Sequence, residues 1–344
     1  MGGLSMIRHT SLCIRFIARG LGWVGLLLVL GAAAARTEAQ VLPSEDLEGR
    51  LRARLSTLDA RASVYAQHVP TGREVAINAD EVMNTASVIK IPILILAYRE
   101  AEAGRLDLDE RREVTLDDYR RGSGLIRTFA PGLQPTLRDL VRQMIVTSDN
   151  IGTDIALGRV GLTRVNALLA QLGYQQTRIN QTTGDLVRRI FVLADPQYRT
   201  FTDRELYELG LPPLSDDELQ QLMEQVAREP AEWLGQSTAR EMSRLLLQLL
   251  RGELASAVTT EEMLDILRGQ FYDSRLPRFI KEQALVAHKT GEMPPYVLND
   301  AGIIFHEGGP TVVTVFVNQN QGTVLQVEEV IGRIAEDLIR AWGP

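Results

Sequence analysis

Leu47, Leu51, Leu55 and Leu58 recur every third or fourth residue, which predicts an amphipathic helix, with Ser44 as its N-cap and acidic residues in its first turn. Two strand-like runs follow, Ser63 to Val69 and Arg73 to Asn78, around the turn sequence Pro70-Thr71-Gly72, and predict an antiparallel hairpin. A long middle stretch is helical in pattern, including Leu137 to Thr147, Asn150 to Arg159, Thr163 to Leu172 and Ser237 to Leu250. Strands are expected again only near the end. Ala284 to Lys289, Asp300 to His306 and Thr311 to Asn318 read as a meander with turns at Gly291 to Pro295 and Glu307 to Pro310. A last helix, Val324 to Trp342, sets Val327, Val330, Ile331, Ile334 and Leu338 on one face.

Strands at both ends with helices between them can form one sheet only if the chain ends come together. The expected class is therefore α+β: an antiparallel sheet flanked by N- and C-terminal helices, with a mainly helical second lobe. The sheet lobe is expected at about 44–90 and 240–344 and the helical lobe at about 91–239, within a single domain spanning 40–344.

The first forty residues change the picture. Arg8, Arg15 and Arg19 precede an apolar run from Leu21 to Ala35, and small residues follow, the order of a secretory signal peptide over 1–39. Cleavage is expected after Ala35 or Ala39, giving a secreted or periplasmic protein with no membrane attachment. The run is short for a membrane span. The lone cysteine, Cys13, would leave with that segment, which excludes disulfides, a cysteine nucleophile and a thiolate metal site. The 344-residue chain is 45% hydrophobic and 24% charged, enough to bury a large core by packing alone. A net charge of −7 without blocks of like charge offers no footprint for nucleic acid.

Three short motifs carry candidate chemistry. Ser87-Val88-Ile89-Lys90 opens an apolar helix, and a serine three residues before a lysine puts both on one helix face. A serine hydroxyl needs a base to become a nucleophile, and a lysine whose pKa is lowered by burial can be that base. The helix N-terminus also offers backbone N–H groups to an oxyanion. Pro92 removes the donor to the Val88 carbonyl, a cost expected to reflect shape near a site. Ser148-Asp149-Asn150 stands between two helical segments, and taken alone is ordinary helix punctuation. Lys289-Thr290-Gly291 ends a strand, and taken alone is a charged strand edge before a turn.

In this order the three motifs form a known signature. With Gly122-Ser123-Gly124-Leu125, Thr136-Leu137-Arg138-Asp139-Leu140 running into Met144-Ile145-Val146, and Asn299-Asp300, they make the chain resemble a class A β-lactamase-type serine hydrolase, a penicillin-recognising serine enzyme, from about Ser44 to the C-terminus. The resemblance implies a β-lactamase/transpeptidase-like fold and assigns roles. Ser87 is the acylated nucleophile, Lys90 its base and Ser148 the relay to the leaving nitrogen. The backbone N–H groups of Ser87 and Glu292 hold the oxyanion. Lys289 and Thr290, with Gly291 beside them, bind the substrate carboxylate, and Asn150 holds the acyl side-chain amide. Arg275 is a candidate second cation for that carboxylate; the alternative is an exposed surface arginine.

The pattern departs from the family where a glutamate activates the deacylating water, since Thr183 stands at that position. Asp185, Glu205 and Glu208 are carboxylates that could substitute, and none is assigned. The segment from Asp185 to Gln236 is longer than compact members need. His68, His288 and His306 lack metal-ligand spacing, so no metal or other cofactor is implied, and His288 is expected to be a packed or solvated strand residue next to Lys289. The expected substrates are small molecules, β-lactams or cell-wall peptides, acted on by a monomer. A D-alanyl-D-alanine peptidase or esterase, and a penicillin-binding sensor without turnover, are the alternatives to a β-lactamase.

Overall fold

The computed structural model describes residues 44–343, with side chains from residue 47 onward. The leader expected at 1–39 and the capping side chain of Ser44 lie outside the described residues. Helix α1 (Ser44–Leu55) leads into strands β1 (Arg61–His68), β2 (Glu74–Ile77) and β3 (Met83–Asn84). Then come helices α2 (Lys90–Glu102), α3 (Leu137–Val146), α4 (Asn150–Val160) and α5 (Leu162–Gln171). Strand β4 (Arg178–Ile179) precedes α6 (Thr183–Ala194), α7 (Asp203–Leu209) and α8 (Asp216–Arg228). Strand β5 (Gly235–Ser237) and helices α9 (Ala239–Leu250) and α10 (Ala257–Arg268) follow, and β6 (Leu285–Met293), β7 (Val297–His306), β8 (Gly309–Asn318) and α11 (Val324–Trp342) close the chain.

The chain ends do come together. β1 pairs antiparallel with β8 from Arg61 opposite Asn318 to His68 opposite Thr311, and the five-stranded sheet runs β2-β1-β8-β7-β6. Both faces are covered. Val313, Val315 and Val317 turn toward α1 and α11, whereas Val312 and Phe316 turn toward the cluster built around α2. Covering both faces replaces the alternating apolar pattern of a half-exposed strand with an almost continuous apolar run. α2 is apolar on all sides because it is the central helix: every residue from Lys90 to Tyr98 is buried.

Several expectations are corrected. Strands do occur in the middle of the chain: β3, β5 and β4 form a second, three-stranded sheet, with Met83 opposite Ser237 and Ile179 opposite Gly235. Strands of two or three residues carry no period to read. Ser237 belongs to β5, and Thr238 caps α9 by accepting from Glu241 N. β6 continues through Gly291 to Met293, so Lys289-Thr290-Gly291 lies within an edge strand, before the turn. Pro92 falls in the first turn of α2, directly after the 3-10 turn that carries Ser87. Among the described residues no helix is long and apolar enough to cross a membrane.

Candidate active site

Ser87 sits on a short 3-10 turn, Ala86–Ile89, that joins β3 to α2. Ala86 takes a left-handed backbone conformation (φ 43°), held by its N–H donating to Asn84 Oδ1 at 2.9 Å. Three buried asparagines tie this elbow to the large sheet. Asn318 Oδ1 accepts from Asn84 N at 2.7 Å, Asn299 Nδ2 donates to Asn84 O at 2.8 Å, and Asn318 Nδ2 donates to Asn299 Oδ1 at 3.2 Å. Of these only Asn299 was singled out from sequence. Asn84 and Asn318 carry no motif, because their role depends on strands far apart in the chain.

Lys90, one turn along, is fully buried, and its Nζ lies 2.7 Å from Ser148 O, 3.0 Å from Asn150 Oδ1 and 3.3 Å from Ser148 Oγ. Burial pushes its pKa down to about 7, against the upward pull of Asp149 and Asp154. Ser148 is itself held in a left-handed conformation (φ 56°) between α3 and α4. Asp149 fixes the turn: Oδ1 accepts from Gly152 N at 2.9 Å, capping α4, and Oδ2 accepts from Ile126 N at 2.8 Å. Gly124 must lack a side chain, since a Cβ there would stand 2.1 Å from Asp149 Oδ2. Asn150 Nδ2 donates to Arg121 O at 2.9 Å.

Lys289 is also fully buried, and its Nζ donates to Thr290 O at 2.6 Å. Burial, and then the Lys90 cation, hold its pKa well below the usual lysine range. By strand alternation Lys289 and Gly291 share the face of Ala287, turned toward α2. A Cβ on Gly291 would meet Thr85 O at 2.3 Å, Val88 N at 2.8 Å and Ser87 N at 3.0 Å, so the edge strand abuts the turn that carries Ser87. Thr290 is buried in the same strand, and Glu292 lines the cavity beside Ser87.

Arg275 is 2% exposed, which rules out a surface arginine. Its Nη1 donates to Asn299 O at 2.9 Å and its Nη2 pairs with the carboxylate of Glu292, which lines the cavity. His288 is buried and pairs with Asp300, Nδ1 to Oδ1 at 2.9 Å, while Asp300 Oδ2 accepts from Leu276 N at 3.1 Å. This pair supports the loop that carries Arg275. Among the described residues no group of three or more His, Cys, Asp or Glu side chains is placed to hold a metal ion.

Ser87, Asn150 and Thr183 line one cavity of about 550 Å³. Thr183, the first residue of α6, is buried and donates from Oγ1 to Asn150 O at 3.2 Å. Its N–H and that of Gly184 both donate to Asp154 at 2.8 Å, anchoring α6 on α4. The carboxylates considered as substitutes are elsewhere. Asp185 and Glu205 accept from Thr182 and Thr202 in the capping boxes of α6 and α7, and Glu208 pairs with Arg204. Glu292 is the one carboxylate lining the cavity among the described residues.

A family model described as the beta-lactamase enzyme family matches residues 46–342. A beta-lactamase of Streptomyces fradiae is 28% identical over 299 residues, 83% of this chain and 84% of that protein. Among solved structures, a beta-lactamase from Sphaerobacter thermophilus superimposes with a TM-score of 0.70 at 25% identity, covering 88% of this chain and 98% of the other. PBP-A superimposes with a TM-score of 0.69 at 22% identity over 87% and 97%, a likeness of fold.

Proposed function

This chain belongs to the beta-lactamase enzyme family, and from that premise we propose that it is a serine hydrolase that opens the β-lactam amide through an acyl-enzyme on Ser87, with deacylation as its slow step. The observation that carries this reading is Lys90. A buried lysine with a pKa of about 7 is neutral in about half of the molecules at pH 7 and so able to accept a proton, and it lies one helical turn from the serine.

A neutral amine has two protons to donate and one lone pair, whereas Lys90 Nζ has three partners. Ser148 O and Asn150 Oδ1 can take those two protons, which leaves the lone pair to the Ser87 hydroxyl as it attacks. The contact with Ser148 Oγ offers a path for the proton from Ser87 through Lys90 and Ser148 to the departing nitrogen. In acylation the Ser87 Oγ–carbonyl carbon bond forms and the amide C–N bond breaks. The Ser87 and Glu292 N–H groups take the oxyanion, as the contact between Gly291 and the Ser87 turn supports. A carboxylate on the substrate would restore the Lys289 ammonium that burial disfavours, with Thr290 beside it. Asn150 would hold the acyl amide.

Release requires a base for water at the acyl carbon. Thr183 supplies no carboxylate, and Glu292 is paired with Arg275. The reading as an exported protein rests on the N-terminal order of arginines, apolar run and small residues.

Intact-mass spectrometry of the protein with several β-lactams, alongside absorbance assays of ring opening, tests the proposal. The expected result is an adduct that decays slowly with turnover and is absent from Ser87→Ala, which keeps the wild-type circular dichroism and Tm. Labelling of Ser87→Ala by penicillin would overturn the assignment. A permanent adduct would make the protein a penicillin-binding sensor.

A further inference from the structure

Two helices of the segment after Thr183 carry apolar stripes that packing only half covers. On α8, Leu219, Leu222, Met223 and Val226 fall on one face, with Asp216, Asp217, Gln220 and Gln221 exposed on the other. Leu222 and Val226 are buried, but Leu219 and Met223 are only half-buried and line the cavity that contains Ser87. α6 repeats the arrangement. Phe191 is buried against Tyr198, ring centroids 5.4 Å apart, whereas Leu186 and Ile190 are half-buried and line the same cavity. Leu211, after α7, adds a 63% exposed leucine to that lining. The two charged side chains of the lining are engaged elsewhere: Glu292 with Arg275, and Arg121, which donates to Tyr207 O at 2.7 Å.

Apolar side chains left open to a cavity that begins at a nucleophile mark a site for apolar substrate surface. We propose that this cavity takes an extended aliphatic acyl chain, so that the preferred substrates of Ser87 are esters or amides of acyl groups several methylenes long. The inference rests on the reading of Ser87 as the acylated nucleophile. With an ester, the Ser87 Oγ–carbonyl bond forms and the bond to the leaving alcohol breaks. The serine proton leaves with the alcohol by way of Lys90, and water then cleaves the acyl-serine to a carboxylic acid. The flexible Met223 and Met293 let the walls adapt to chain length.

The test is kcat/KM for p-nitrophenyl esters from acetate to hexanoate, with the acyl adduct on Ser87 followed by mass spectrometry. Burial of each methylene predicts a rise of about fourfold per carbon in the wild-type protein. In Met223→Gln and Ile190→Gln, checked for unchanged Tm, the rise falls below about twofold per carbon. A flat series in wild type, or an unaltered slope in both variants, overturns the pocket while acylation of Ser87 by p-nitrophenyl acetate and penicillin leaves the catalytic reading standing. Failure of every ester and β-lactam to acylate Ser87 overturns both.

Discussion

Lys90 is an ionisable group in apolar surroundings, and the balance between desolvation and the two nearby aspartates sets where it titrates. Its folded-state pKa lies below the ordinary lysine value, so the neutral base is abundant above pH 7 and lost as pH falls through 7. Acylation by an uncharged ester, which does not require the Lys289 ammonium, is therefore expected to rise roughly thirtyfold from pH 5.5 to 8.5 with an apparent pKa near 7. Stopped-flow burst rates across that range give the profile. A flat profile would move the base to another group. The candidate residues were legible in the sequence because serine and lysine three apart on a helix share a face whatever the rest of the fold does. Their titration was not, because burial belongs to the surrounding elements.

At the scale of elements, the site is an elbow, a turn between helices and an edge strand, brought together at backbone distance. Gly291 is the point of closest approach, and a methyl group there would have to displace Thr85 O, Val88 N or Ser87 N. Gly291→Ala is expected to push β6 off the Ser87 turn and to slow acylation by about a hundredfold, since small misplacements of oxyanion donors and nucleophile cost that much. The measurement is the second-order rate of adduct formation, with Tm as control; a wild-type rate would mean that the strand's approach does not set the site. The motif at Lys289-Thr290-Gly291 is readable in sequence, but its glycine reads as the start of a turn and stands instead within β6. Glycine in a strand and glycine in a turn look alike in sequence, and only the neighbouring backbone shows which is needed. The same holds for Pro92, whose place in the helix depends on where α2 begins.

Across the whole molecule, the chain ends lock the sheet that holds the site. Leu47, Leu51 and Leu55 of α1 meet Val327, Ile331 and Leu338 of α11 in one cluster beneath β1 and β8. Within that contact Arg54 grips the fully buried Asp337 with both Nε and Nη2, the latter at 3.1 Å from Oδ1, while Arg50 and Arg340 come within 3.9 Å. Arg54→Met leaves the carboxylate with weaker partners and is expected to cost about 2–3 kcal/mol, lowering Tm by several degrees. Thermal unfolding checks the loss. The acylation rate of the folded variant is expected to match wild type, because the pair lies across the sheet from α2.

Chain order alone established the architecture that brings the termini into one sheet, the helices with strong 3.6-residue periodicity, and the identity of Ser87, Lys90, Ser148, Asn150 and Lys289 as candidates. Those are local facts: apolar spacing and motif spacing survive any folding context. Folding decided what depends on distant partners. It turned Arg275 inward onto Glu292, put His288 on Asp300, and spent Asp185 and Glu205 on helix caps. It built a second small sheet from strands too short to show a period. It also left the apolar faces of α6 and α8 half-open beside Ser87, because whether such a face packs or lines a cavity is set by what stands opposite it.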